Sequence, residues 1–280
     1  MAQENPLAGA IDIHVHAAPD STPRSIDAID LARLAKSRGM RGLVLKSHYE
    51  PTASMAYLVR KEVPGLEVFG GIDLNLTVGG MNPSAVEHMA AITGGYGRFV
   101  WMATFDSENQ VRYSKEDRQF VRIARDGQLL PETKAVIGVI ARHNLVMATG
   151  HSSAEESLML LREGKSQGVK HMVATHAMLQ PVNMSVEQMM DAAKLGAYVE
   201  FVYNGLTSSG KQFDFADYAK AIRKIGVEHC ILSSDMGQPT NPLHPDGLLA
   251  FLKGLREQGF TQAEIDQMAK TNPVRLIGLQ

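Results

Sequence analysis

Eight short apolar runs, each followed by a stretch with helical spacing, recur along the 280 residues, and no other feature restricts the fold as much. They fall near residues 10–16, 41–48, 66–75, 97–105, 144–151, 170–176, 197–203 and 228–235. Runs rich in Val, Ile and small residues, apolar without strict alternation, suit strands covered on both faces, as parallel strands are. The segments between them carry helix signals. "SIDAIDLARLAKSRG" offers Ser25 as an N-cap, apolar Ile26, Ile29, Ala32 and Leu34, and Gly39 as a stop. "SSAEESLMLLREGKSQG" opens on serines and early glutamates and closes on Gly168. Further helices are expected at about 84–93, 114–125, 131–142, 185–195, 214–225 and 246–258, with a last one at 261–278 that breaks before Pro273. Eight such units predict an α/β protein, a (β/α)8 TIM barrel of one domain spanning 1–280, close to the roughly 250 residues typical of that fold. An open doubly wound sheet would place a glycine-rich phosphate turn after the first strand, where this chain reads HVHAAPDSTPR.

Composition narrows the class. With 44% hydrophobic and 21% charged residues the chain is ordinary for a globular protein, and its formal charge of -2 gives no general attraction to nucleic acid or an anionic membrane. No apolar run approaches the roughly 20 residues that span a bilayer. The N-terminal MAQENPLAGA lacks a basic region followed by an apolar stretch, so a secretory leader is not expected and a cytoplasmic location is. Cys230 is the single cysteine, which excludes an intrachain disulfide and a cysteine-cluster metal site.

The ionisable residues gather at the C-terminal ends of the expected strands, the end where barrel enzymes place their chemistry. His14 and His16 close the first strand, Lys46 and His48 the second, His151 the fifth, His176 the sixth and Asp235 the eighth, while Glu200 interrupts the apolar YVEFV of the seventh. On an alternating strand Asp12, His14 and His16 share one face, with Ile11, Ile13 and Val15 on the other. A lone histidine is most simply a satisfied polar residue. Several imidazoles and a carboxylate at one barrel mouth instead make a ligand set for a borderline divalent ion, zinc first, with manganese or iron as alternatives. His88 and His143 lie in helical stretches, His171 and His229 begin strands, and His244 sits in the last strand-to-helix loop. Met189 and Met190 fall at helical apolar spacing and read as core.

The ordered set His14-Val15-His16, Thr149-Gly150-His151, Thr175-His176 and Ser234-Asp235, with Asn272-Pro273 and Gly278 near the end, resembles the amidohydrolase superfamily over nearly the whole chain. That resemblance implies a metal-dependent hydrolase acting on a small-molecule amide, lactone or related cyclic C–N or C–O bond. It implies His14, His16 and His151 on the ion and Asp235 as ligand or proton carrier. His176 is then a further ligand or an oxyanion donor, and Asp12 orients the His14 imidazole. One departure matters. Binuclear members bridge two metals with a lysine carbamate or glutamate at the end of the fourth strand, and here that strand reads GRFVWMATFD. Lys46 or Glu200 could substitute, but one ion is the favoured reading. Lys46, His48, Arg24 and Asn204 are the expected substrate contacts, with Lys46 a plain ammonium for a carboxylate or phosphate. Tyr203 and the 236–247 loop shape specificity, and Gly79-Gly80 form a lid or a turn. Rival readings are a phosphoesterase of the PHP type, a decarboxylase or metal-free lactonase, and a silent binding protein. No nucleic-acid or membrane partner is expected, and a homo-oligomer is.

Overall fold

The apolar runs become eight parallel strands: β1 (Ile11–Val15), β2 (Gly42–Leu45), β3 (Glu67–Asp73), β4 (Gly97–Trp101), β5 (Val146–Ala148), β6 (His171–Ala174), β7 (Tyr198–Val202) and β8 (Cys230–Ser233). In this computed structural model, which describes residues 5–207 and 209–279, each strand is hydrogen-bonded to the next in sequence order. Residues 1–4 of the stretch read above for a leader lie outside the described residues. Helices follow the strands, α1 (Ala28–Ser37), α2 (Ala53–Glu62), α3 (Pro83–Ala90), α4 (Glu108–Tyr113), α5 (Pro131–Arg142), α6 (Ala154–Ser166), α7 (Val186–Lys194), α8 (Phe215–Ile225), α9 (His244–Glu257), α10 (Gln262–Asp266) and α11 (Asn272–Ile277). The result is the expected (β/α)8 barrel in a single domain. Among the described residues no helix is long and apolar enough to cross a membrane.

The barrel closes where it matters for the site. At the C-terminal ends of β1 and β8 the ladder continues as Asp235 N–H to His14 O at 2.9 Å and His16 N–H to Met236 O at 3.0 Å. Asp12 staples the same seam, its Oδ1 accepting the backbone N–H of Ser234 at 3.0 Å and of His14 at 3.3 Å. Residues more than two hundred positions apart are thus set side by side by backbone bonds.

Two apolar layers surround the strands. Ile11, Ile13, Val44, Phe99 and Ile231 fill the barrel interior, and Leu276 and Ile277 of α11 pack into the same cluster. The larger layer lies between strands and helices, and Val15 belongs to it rather than to the interior. The simple alternation expected for β1 therefore fails at Val15. A register shift between Asp12 and Val15 breaks the period of two, as a bulge does.

Helix boundaries depart from expectation at four places, each for a local reason. α1 begins at Ala28 because Asp27, not Ser25, accepts the N–H groups of Ile29 and Asp30. α2 was not anticipated. Its buried stripe is small, Ala53, Ala56 and Val59, and Thr52 makes no side-chain cap because its hydroxyl bonds Leu45 O. No helix forms over 114–125. α4 stops at Tyr113, Lys115 turns to φ 56°, and Arg118 and Arg122 reach back to Asp106 and Glu108, so the segment is an irregular loop with a two-residue hairpin at 124–129. The chain is not broken before Pro273 but passes through a five-residue π turn, 267–271, into α11. That leaves Pro273 in the first turn, where its missing N–H costs nothing.

Asn272 pins this C-terminal element to the barrel by donating from Nδ2 to Val227 O at 2.8 Å and Cys230 O at 2.7 Å, at the entry to β8. Asn272→Ala removes both bonds, the one to Cys230 O being buried, and is expected to cost about 1–3 kcal/mol, read as a lower thermal midpoint.

Candidate metal centre and cavity

The bulge in β1 delivers His14 and His16 together to the barrel mouth. His14 Nε2 and His16 Nε2 each lie 3.3 Å from Asp235 Oδ1, and one donor atom from each of the three residues falls within 4.8 Å of the others. All three side chains are buried. Asp235 sits two residues past β8 at φ 52°, and His176 two past β6 at φ 26°. Non-glycine residues in this region are strained, and such strain concentrates at functional sites. Gly150, just before His151, is at φ 63°, and a Cβ there would meet Met102 O at 2.2 Å, so only glycine brings His151 to its place.

The outer contacts of the three residues are specific. Glu200 Oε1 accepts from His14 Nδ1 at 3.2 Å, while its other oxygen accepts the His176 N–H at 2.9 Å, and Ser233 Oγ donates to Oε1 at 2.6 Å. A carboxylate on Nδ1 fixes the tautomer that turns the Nε2 lone pair toward an ion. The structure gives this orienting place to Glu200, not to Asp12, whose carboxylate meets the backbone N–H of His14 and not its ring. Asn204 Nδ2 donates to Asp235 Oδ2 at 3.2 Å. His244 Nε2 donates to His16 O at 2.8 Å, bracing β1 from outside the cavity.

Burial acts on every group here. It would raise the Asp235 carboxyl, but the charge of His14 and the hydrogen bond from His16 hold it far below the usual carboxylate range. Burial opposes charge on His14, yet Asp235 and Glu200 together pull its imidazole up. Glu200 stays ionised against burial through His14. His16, His48 and His151 are pushed well down by burial, and His176 to about 4 by the same cause. Asp12 is pushed up to about 7, one of its oxygens lacking any partner. Two ionised carboxylates flanking one imidazole call for positive charge between them. With two imidazole nitrogens and a carboxylate oxygen converging, the donor set suits a divalent ion of zinc type.

Around this trio lies a cavity of about 300 Å³. His48, His151, His176, Arg24 and Asn204 line it with the three residues above. His151 is oriented by Gln110 Oε1, 2.8 Å from Nδ1, and its ring lies 4.9 Å from that of His176. A larger groove of about 620 Å³ runs outside the barrel between α1 and α2, but it is mainly apolar and holds none of these groups.

Lys46 is placed differently from a substrate contact. Its ammonium is buried behind the cavity wall, 2.9 Å from Asp73 Oδ2, 3.3 Å from His48 Nδ1 and 5.5 Å from the centre of the Trp101 ring. β4 ends on the Trp101 indole, and neither Lys46 nor Glu200 joins the converging trio. Gly79 and Gly80 form the left-handed end of a short 3-10 turn. Sequence reading overlooked Asp73, although an acid ending the apolar run VFGGID is the same signal as Glu200 in YVEFV. It also overlooked Phe105, Gln110, Gln180 and Gln212 in the cavity wall, residues with no pattern to betray them, whereas Gln238 lies in the 236–247 loop expected to shape specificity.

Glu200→Gln keeps the volume but removes the charge behind His14. It is expected to weaken metal affinity about 10- to 100-fold, measured by competition with a chelator.

A (β/α)8 barrel with His-x-His ending its first strand and an aspartate past its eighth has the architecture of the amidohydrolase superfamily. The chain belongs to the family described as a family of unknown function, DUF6282, whose model matches residues 9–200. No curated protein matches it. Among solved structures it is similar to an amidohydrolase from Pseudomonas aeruginosa, with 15% identity, 98% of this chain and 96% of that one covered and a TM-score of 0.66. A mutant organophosphorus hydrolase from Deinococcus radiodurans gives 17%, 99% and 95%, and 0.67. A 2,6-dihydroxybenzoate decarboxylase from Rhizobium gives 12%, 97% and 99%, and 0.60. At these identities the likeness establishes the fold, and the resemblance read from the motifs is borne out at that level.

Proposed function

We propose that the protein is a hydrolase holding one divalent ion, zinc in the first instance, that cleaves an amide, lactone or related cyclic C–N or C–O bond of a small molecule. The observation that carries this reading is the convergence of His14 Nε2, His16 Nε2 and Asp235 Oδ1, with Glu200 behind His14. A bound ion of this kind supplies Lewis acidity, lowering the pKa of a water from 15.7 to about 7. Asp235 turns Oδ1 to the imidazoles and keeps Oδ2, against Asn204, to take the proton of the attacking water and return it to the leaving group. His176, whose Nδ1 has no partner, donates to the oxygen on which charge develops. His151 lies across the cavity as a further ligand, while His48, Arg24 and Asn204 meet the substrate. The Trp101 indole at the end of β4, in place of a bridging side chain, favours one ion over two.

A panel of lactones, cyclic amides, acyl amino acids and phosphoesters tests this. Turnover is expected among the lactones and cyclic amides, lost on chelation and restored by zinc. Turnover confined to phosphoesters, or untouched by chelation, contradicts it.

A further inference from the structure

The cations near the cavity are already matched by acids. Arg24 donates Nε and Nη2 to the same oxygen of Asp20, at 3.0 and 2.8 Å, and the side chains are only 5% and 0% exposed. Lys46 is committed to Asp73 and does not reach the cavity wall. At the mouth, Asp235 and Glu200 would balance a divalent ion. Apart from imidazoles, Arg24 and Asp235 are the only charged side chains among the described residues of the lining. Among the described residues of the lining no cation is left over to receive a substrate carboxylate or phosphate, and desolvating such an anion here would go uncompensated.

The wall offers other chemistry. The Gln180 amide has no side-chain partner among the described residues, and Gln212, whose Oε1 accepts the Gln180 N–H at 2.8 Å, keeps its Nε2 donor. Phe105 lies 36% exposed at the rim, stacked on His48 with ring centres 3.9 Å apart, and presents a flat apolar face. The cavity volume, about 300 Å³, sits at the small end of ligand sites.

We propose, on the hydrolase reading above, that the substrate is an uncharged polar ring compound, a lactone or cyclic amide bearing hydroxyl or carboxamide groups. Its flat face lies on Phe105 and its polar edge meets Gln180 and Gln212. Carboxylated and phosphorylated compounds are excluded by the matched charges.

Calorimetric titration of zinc-loaded full-length protein tests this with acetohydroxamate and two longer hydroxamates of equal length, one ending in a carboxamide and one in a carboxylate. All three are expected to bind, the carboxamide at least about ten-fold tighter than the carboxylate, roughly 1.4 kcal/mol at 25 °C. Gln212→Ala, and independently Gln180→Ala, should shrink that preference while leaving acetohydroxamate affinity unchanged. Equal binding of the two longer probes, or tighter binding of the carboxylate, overturns the substrate assignment alone. Failure of acetohydroxamate to bind overturns the hydrolase reading, and this assignment with it.

Discussion

Asp235→Asn is expected to retain metal and to lose about a hundred- to ten-thousandfold in the hydrolytic turnover proposed above. The substitution is nearly isosteric. An amide oxygen can still face His14 Nε2 and His16 Nε2, and the backbone bond from residue 235 to His14 O, which closes the barrel, is untouched. What disappears is the basic oxygen held against Asn204. Metal content and rate must therefore separate in this variant. Equal rates for variant and parent would remove the proton-carrying role, and a loss of metal in proportion to rate would make Asp235 a ligand only.

The second large effect concerns stability. Lys46→Met should destabilise the protein by about 3–5 kcal/mol, because it leaves the Asp73 carboxylate buried without its cation. That is a large share of the roughly 5–15 kcal/mol that holds a domain together. The pair is closed to water at 0% and 1% exposure, and Thr104 also donates to Asp73 at 3.0 Å. Burial already pushes the Asp73 carboxyl upward, against the pull of Lys46. Without the ammonium it rises further, so the folded state binds the proton more tightly than the unfolded chain does. The penalty is then smallest in acid and grows as pH rises above the unfolded carboxyl value of about 3.9. The double variant Lys46→Met with Asp73→Leu should recover most of the loss in urea unfolding at neutral pH. If the double variant is as unstable as the single one, the lysine acts by packing on Trp101 rather than by charge.

The barrel and the identity of the converging residues were legible because histidine and aspartate are conspicuous at the ends of apolar strands. Their grouping was legible because a barrel sends all such ends to one mouth. What surrounds them was not. Glu200 was visible as an acid in an apolar run, but its partner, His14, lies 186 residues away, and only the closed seam brings them together. The bulge in β1 sends Val15 to the outer layer, against the expected alternation, because one shifted residue reverses the facing of everything after it. Lys46 resembled a substrate contact because the acid that occupies it, Asp73, stands on the next strand. The unanticipated α2 and the absent helix at 114–125 mark where small residues hide a helix and where arginines committed to distant acids undo one.

The convergence of His14, His16 and Asp235 on one ion is tested most directly by elemental analysis of protein purified without added metal, beside the variant His14→Ala with His16→Ala. The parent should carry about one divalent ion per chain, as a single site of this donor type holds, and the variant none. A parent free of metal, a parent with two ions, or a variant that keeps its ion would contradict the account.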